Sequence, residues 1–144
     1  MPEAQNLANH KRYVMGYHGV TFVLIVFVLG WTIKGLIAAP TMGSLAAVIA
    51  VVALVLSAFY GRFFALQAQN RIIRLEEQLR MAALLPAELK NRISELRMPH
   101  FVALRFASDP ELPDLVRRVL AGELSTQDSI KQAIKNWRGD YNRV

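Results

Sequence analysis

The first half of the chain contains two long stretches in which apolar residues follow one another without a formal charge. The first covers residues 14–33 and the second covers residues 38–61. A helix of about 20 residues crosses a hydrocarbon layer of about 30 Å. The pattern therefore predicts two membrane-spanning helices, at residues 14–33 and 40–61, joined by a tight turn around Pro40. A cleaved signal peptide is an alternative for the first stretch, but a second span follows within about ten residues.

After Gly61 the apolar pattern changes from continuous to periodic. Apolar residues recur in alternating steps of three and four, which is the spacing of a coiled-coil seam. We therefore expect the second span to continue without a break into a long cytoplasmic helix that ends near Leu85 and Pro86. The seam consists of Ala65, Ala68, Ile72, Leu75, Leu79 and Ala82. The polar side of the same helix is predicted to carry Glu76, Glu77 and Arg80, with Glu76 and Arg80 paired.

Shorter helices are predicted beyond the long one, because prolines and capping residues recur at short intervals. The predicted helices run from Pro86 to about Arg97, from Pro99 to about Phe106, from a cap at Asp109 or Pro110 to about Gly122, and from an N-cap at Ser125 through Ile130, Ala133, Ile134 and Trp137. No alternating strand pattern competes with them.

These elements predict an all-α integral membrane protein. Its fold is a two-helix transmembrane hairpin whose second span continues into a long cytoplasmic helix, followed by short cytoplasmic helices. The corresponding parts are an amino-terminal arm (residues 1–13), the hairpin (residues 14–61) and a helical cytoplasmic domain (residues 62–144).

Composition and charge predict where the protein lies and how it is oriented. Apolar residues make up 53% of the 144 positions and charged residues only 19%, which is more apolar than a small soluble core requires. The turn holds one basic residue, Lys34, whereas 14 basic residues follow Gly61 and two more, Lys11 and Arg12, precede the first span. Because basic residues favour the cytoplasmic side, both termini are predicted to be cytoplasmic. The basic residues form no nucleic-acid-binding motif, and we expect no nucleic-acid partner.

Small residues recur along the second span at steps of three and four. Such residues let helix backbones approach closely in lipid, where apolar burial gives no drive for association. The predicted packing face consists of Gly43, Ala46, Ala50, Ala53, Ser57 and Gly61. The face either packs on the first span, or it docks on another membrane protein or a second copy.

The residue types limit the chemistry that the chain can carry out. It has no cysteine, no phosphate-binding glycine loop and no acidic pair within the spans, so we expect neither an enzyme nor a metal site. No cofactor is expected either. The alternative is a haem or a (bacterio)chlorophyll held by His18 or His10, since a neutral imidazole can be an axial ligand.

The carboxy-terminal stretch is the most distinctive part of the sequence. It contains Asn136, Trp137, Arg138, Asp140, Tyr141, Arg143 and Val144. With the opening NLANHKRYV, it resembles a family of small bacterial two-helix membrane proteins of unknown function. The resemblance implies a bacterial inner membrane and supplies no activity. Trp137 and Tyr141 stand four apart and are predicted to pair on one helix. With Arg138, they form either a clamp on the long helix or a contact for a partner.

We therefore expect a non-enzymatic accessory or scaffold subunit of a larger membrane assembly, such as a respiratory or photosynthetic complex. Its expected partners are other integral membrane subunits and lipids. One alternative is a protein that assembles with itself, or a small channel, through the long helices. The other is a cofactor-holding protein.

Overall fold

The computed structural model describes residues 5–9 and 14–141, and within these ranges the secondary structure is helical apart from one isolated β-bridge. The all-α prediction is confirmed for these residues. The elements are a π-helical segment (Met15–Thr21) that leads into α1 (Phe22–Ala38), then α2 (Met42–Leu84), α3 (Ala87–Lys90), a 3₁₀ turn (Ile93–Glu95), α4 (Met98–Leu104), α5 (Leu112–Leu120) and α6 (Gln127–Ala133).

The described residues form two compact units. The apolar unit comprises residues 14–65, and the core unit comprises residues 5–9 and 66–141. Helix α2 contributes to both, as expected for a second apolar stretch that continues without a break until just before Pro86. The helical stretches Met15–Ala38 and Met42–Leu84 are both long and apolar enough to cross a membrane.

Residues 39–41 connect α1 to α2, and hydroxyl groups satisfy the backbone of this turn. Thr41 Oγ1 accepts a hydrogen bond from the backbone N–H of Ser44 at 3.1 Å, and Ser44 Oγ accepts one from the backbone N–H of Thr41 at 2.9 Å. This reciprocal pair is a capping box, which uses two otherwise unpaired donors at the start of a helix. Ser44 Oγ also donates to the carbonyl of Ala39 at 2.8 Å. The turn thus satisfies its own polar groups.

One face of α2 packs in the apolar unit, and its members recur every three or four residues. Val51 on this face is only 7% exposed, and Tyr17 Oη donates to the carbonyl of Ala58 at 3.0 Å. The buried or half-buried positions of the face are Ser44, Val48, Val51, Val55, Ala58, Arg62 and Ala65. The half-buried positions of α1 recur in the same way, at Ile25, Leu29, Thr32 and Leu36. These two faces are the least exposed sides of α1 and α2 in the apolar unit.

The core unit is held by apolar side chains that α2 and the short helices bury together. Short helices of four to nine residues are marginal alone, so their stability depends on this packing. Each large apolar side chain buried fully contributes about 1.5–3 kcal/mol. The largest fully buried side chains are Phe101, Phe106, Met81, Leu104, Leu112, Ile130 and Val116.

Several predicted boundaries of the short helices are wrong in detail. The stretch predicted as one helix from Pro86 is divided into α3 and the 3₁₀ turn, and Pro86 itself is extended, with ψ 156°. Neither Asp109 nor Pro110 caps α5, which begins at Leu112. The reason is that the Asp109 carboxylate accepts hydrogen bonds from Arg80 instead.

The last helix also differs from its prediction. Its N-cap is Thr126 rather than Ser125, because Thr126 Oγ1 accepts the backbone N–H of Ser129 at 3.1 Å in a capping box. The helix ends at Ala133, and Ile134 is already extended, with ψ 124°. Trp137 therefore lies outside the helix on which the sequence predicted it.

Helix α5 ends in a Schellman motif at Gly122, close to its predicted end. Gly122 has φ +82°, its N–H donates to the carbonyl of Val119 at 3.0 Å, and the N–H of Glu123 donates to the carbonyl of Arg118 at 3.0 Å. A positive φ is accessible to glycine without the steric cost that a Cβ introduces. Gly122 is therefore required by the backbone rather than by packing.

We predict that Gly122→Ala destabilises the core unit by about 1 kcal/mol, which lowers Tm by roughly 5 °C in a domain of this size. Thermal unfolding of the full chain in mild detergent, followed by circular dichroism, measures the change. Gly61→Ala is the matched control, since Gly61 is helical and a Cβ there meets open space. An equal loss in both variants would contradict the assignment.

Candidate functional site

The core unit contains a polar cleft of about 490 Å³ between α2 and the carboxy-terminal segment. Helix α2 supplies one wall, Arg105 follows α4, and residues 138–141 supply the other wall. The residues that line it are Ile73, Glu76, Glu77, Arg80, Arg105, Arg138, Gly139, Asp140 and Tyr141.

Glu77 is the buried carboxylate of this cleft and is only 5% exposed. Arg80 Nη1 donates to Glu77 Oε2 at 3.0 Å, and Arg138 Nη1 lies 3.8 Å from Glu77 Oε1. The prediction that Glu77 and Arg80 lie on the polar, solvated side of α2 is therefore wrong. Arg80 also pairs with Glu77, three residues away, rather than with Glu76 as predicted.

Arg80 connects α2 to the segment between α4 and α5. Its Nε and Nη2 donate to Asp109 Oδ1 at 2.8 and 2.6 Å, and Nη2 also donates to the carbonyl of Ala107 at 2.6 Å. Charge-assisted bonds from a planar guanidinium are directional and strong. One side chain thus fixes the position of this segment against α2.

Burial raises the pKa of the Glu77 carboxyl above its ordinary value of 4.5, while the charges of Arg80 and Arg138 act to lower it. Burial has the larger effect because it removes water from a charged group. Ionised Glu77 therefore costs the folded state more than it costs the unfolded chain.

The carboxy-terminal segment is attached to the core unit by backbone and side-chain bonds. The N–H of Arg138 donates to the carbonyl of Phe106 at 2.7 Å, and the N–H of Ser108 donates to the carbonyl of Asn136 at 3.1 Å. Arg105 Nε lies 3.1 Å from Asp140 Oδ2. Glu111 accepts the N–H of Asn136 at 3.0 Å. Residues 134–141 therefore follow a fixed path without being helical.

The amino-terminal segment reaches the same place. Gln5 Nε2 donates to the carbonyl of Asp140 at 3.1 Å, and the N–H of Asp140 donates to Gln5 Oε1 at 2.9 Å. The side-chain amide of Gln5 thus pairs with the backbone of Asp140 as a neighbouring strand would.

The predicted pairing of Trp137 with Tyr141 on one helix is wrong. Trp137 packs on Phe106, with ring centroids 5.2 Å apart, and forms the isolated bridge with Ala107. Tyr141 is 48% exposed, and its ring occupies the space that a Cβ at Gly139 would need. Trp137 therefore attaches the segment to the core unit, while Tyr141 and the Arg138 side chain remain accessible to a partner.

The structure describes only one of the two predicted cofactor ligands. His10 lies outside the described residues. His18 is in the π-helical segment, and its Nδ1 lies 3.1 Å from the carbonyl oxygen of Val14. No group of three or more histidines and carboxylates within residues 5–9 and 14–141 could hold a metal ion.

The predicted small-residue face is exposed at all six positions. It is turned roughly 120° around α2 from the least exposed face of the helix in the apolar unit, given about 100° per residue. The predicted face is therefore not the side that the apolar unit buries.

The predicted seam is also exposed where it is most apolar. Leu75 is 59% exposed and Leu79 is 65% exposed. The core unit instead uses Ile73, Glu77 and Met81 of α2.

Comparison with known families matches a family model to residues 1–144. The chain belongs to a family of unknown function, DUF6526. This agrees with the resemblance to an uncharacterised family noted from the carboxy-terminal residues. No curated protein and no solved structure matches the chain.

Signals for the cleft are weak in the sequence. Glu77 and Arg80 stand three apart on α2, which is a pairing distance on a helix, but exposed pairs have the same spacing. Arg105, Asp109 and Asp140 join them only through the tertiary fold. The arrangement matches the carboxylates of Glu77 and Asp140 with arginines, so it holds the carboxy-terminal segment against α2.

We predict that Glu77→Gln gains stability relative to the wild type as the pH rises. The folded pKa is raised, so the wild type loses stability between the ordinary pKa of 4.5 and the higher folded pKa. The Tm of the variant minus that of the wild type should be larger at about pH 7 than at about pH 4. Thermal unfolding in detergent across this range measures it.

Glu95→Gln provides a control of opposite sign. A hydrogen bond from Arg92 lowers the pKa of the exposed Glu95 carboxyl. The Tm of the wild type relative to that of this variant should therefore increase as the pH rises. The buried-carboxylate interpretation would be contradicted if the difference in Tm between Glu77→Gln and the wild type did not change with pH. It would also be contradicted if that difference changed in the same direction as it does for Glu95→Gln.

Proposed function

We propose that the chain is an integral protein of the bacterial inner membrane that serves as a non-enzymatic accessory or scaffold subunit of a larger membrane complex. In this proposal residues 14–33 and 40–61 cross the bilayer, and both termini and the core unit are cytoplasmic. The distribution of basic residues supports this orientation. The self-satisfied backbone of residues 39–41 supports a turn at the opposite surface.

The observation that carries the proposal is the exposure of the small-residue face. Val51 is buried, whereas Ala50, Ala53 and Ser57 are exposed. Small side chains are poor at covering lipid-facing surface but allow another helix to come close and gain dispersion contacts. The occupant that fits is a transmembrane helix of a larger partner subunit.

The core unit supplies the second contact in this proposal. Tyr141 and Arg138 lie at the end of a segment whose path is fixed, so little entropy is lost when a partner binds them. Tyrosine and arginine are also residue types that dominate binding hot spots. We propose that they contact a cytoplasmic surface of the same partner complex.

The membrane topology makes a direct prediction, because a chain without cysteine can carry one introduced thiol at a time. Ala39→Cys, in the turn between α1 and α2, should react with a membrane-impermeant maleimide added outside intact cells. Ser125→Cys, which is exposed in the core unit, should react only after the membrane is opened. Labelling of both positions from outside, or of Ser125→Cys alone, would contradict the proposed orientation.

The docking face makes a second prediction. Ala50→Leu with Ala53→Leu should release the protein from its complex without preventing insertion, because bulky side chains hold a neighbouring helix away. Extraction in gentle detergent, affinity purification and mass spectrometry of the co-purified subunits measure the release. Resistance of the variant to alkaline extraction measures insertion.

Val52→Phe with Leu56→Phe is the matched control, since both residues are exposed on another side of the same helix. This variant adds a similar number of side-chain carbons to α2 and should keep its partners. Retention of the partners by the variant at residues 50 and 53 would count against the docking face.

A further inference from the structure

Within the core unit, α2 has one buried face and, on the opposite side, an exposed apolar face. Ile73, Glu77 and Met81 are buried on one of them. At about 100° per residue, the seam residues Ile72, Leu75 and Leu79 point roughly 180° away. The short helices pack on the first face and leave the seam exposed, with Ile72 57% exposed. A long helix therefore carries an apolar stripe that its own core does not use.

The spacing of this stripe defines a heptad register. Steps of three and four place Ala65, Ile72 and Leu79 at a positions, and Ala68, Leu75 and Ala82 at d positions. A β-branched residue at a with leucine at d, as in Ile72 and Leu75, favours two parallel strands.

The charges beside the stripe match the same register. Arg71 is then at a g position and Glu76 at the following e position. In a parallel pair of helices, a g residue lies next to the e residue five positions later on the other helix. Both side chains are exposed, and within residues 5–9 and 14–141 neither forms an ion pair. Two copies would therefore bring Arg71 of each chain beside Glu76 of the other.

We propose that the seam of α2 is the interface of a parallel homodimer, in which a second copy covers Ile72, Leu75 and Leu79 and two Arg71–Glu76 pairs border the contact. The charge complementarity within one sequence favours a second copy over an unrelated partner. The inference goes beyond the proposed accessory function and uses a different stretch of α2, residues 65–82 rather than residues 43–61. Copies inserted in one membrane with the same orientation are already parallel.

Single cysteines test the contact in native membranes. Ala68→Cys and Leu75→Cys, at d positions, bring two thiols close enough for a disulfide, which requires Cα atoms about 4.4–6.8 Å apart. Gln67→Cys is the neighbour of residue 68 at the same height, exposed but off the seam. Mild oxidation should give cross-linked dimers at residues 68 and 75 and few at residue 67.

Exchanging the charges at residues 71 and 76 tests the heptad register. Because a mixed dimer of the two variants restores opposite charges, its formation also shows that both variants fold. Chains with Arg71→Glu place glutamates opposite each other in a homodimer, and chains with Glu76→Arg place arginines opposite each other. A mixed dimer of the two has opposite charges at both pairs. With differently tagged, co-expressed chains, we expect mixed dimers to exceed homodimers by about tenfold, or ~1.4 kcal/mol over two pairs.

The outcomes separate this inference from the proposed function. Cross-linking that is equal at residues 67 and 68, absent at 68 and 75, or directed to another protein would overturn the homodimer, as would random mixing of the charge variants. The homodimer should survive Ala50→Leu with Ala53→Leu, and Arg71→Glu should leave the partner complex bound to the small-residue face. Each interface can therefore fail without the other.

Discussion

The structure depends on the continuity of α2. In an unbroken helix each residue turns by about 100°, so the direction of every side chain is fixed by that of its neighbours. The apolar unit uses the side of Val51, which leaves Ala50 and Ala53 exposed. The core unit uses the side of Met81, which leaves Leu75 and Leu79 exposed. Each unit therefore buries one side of its part of α2 and leaves another side exposed.

Arg80 and Glu77 form a buried ion pair on the side of α2 that packs in the core unit. A buried carboxylate is tolerated only with partners, and its arginines come from α2 itself and from the carboxy-terminal segment. A buried ion pair is costly to assemble, but it selects one arrangement, because removing either partner leaves an uncompensated charge. In this chain the selected arrangement adds a polar attachment to residues 134–141, whose apolar attachments are Ile134 and Trp137.

The sequence predicted best what depends on local pattern. The two apolar stretches, the uninterrupted α2, the stop before Pro86 and the end of α5 near Gly122 follow from hydropathy and backbone conformation. The prediction was poorest where distant residues decide the outcome. Asp109 was predicted to be a cap but pairs with Arg80, and Trp137 packs on Phe106 and bridges Ala107 instead of lying on the helix that its spacing suggested. Hydrophobic periodicity also found the exposed stripe of α2 and missed the buried one, because that face includes Glu77.

The pairing of Gln5 with Asp140 has a consequence for how the chain can be threaded through a lipid bilayer. Two hydrogen bonds of about 3 Å hold these residues together, whereas the hydrocarbon layer is about 30 Å thick. Any membrane arrangement that keeps both bonds must therefore place residues 5 and 140 in the same compartment. The number of crossings between them is then even, whatever the charges of the loops. An arrangement with a single crossing would have to break this contact between the two ends of the chain.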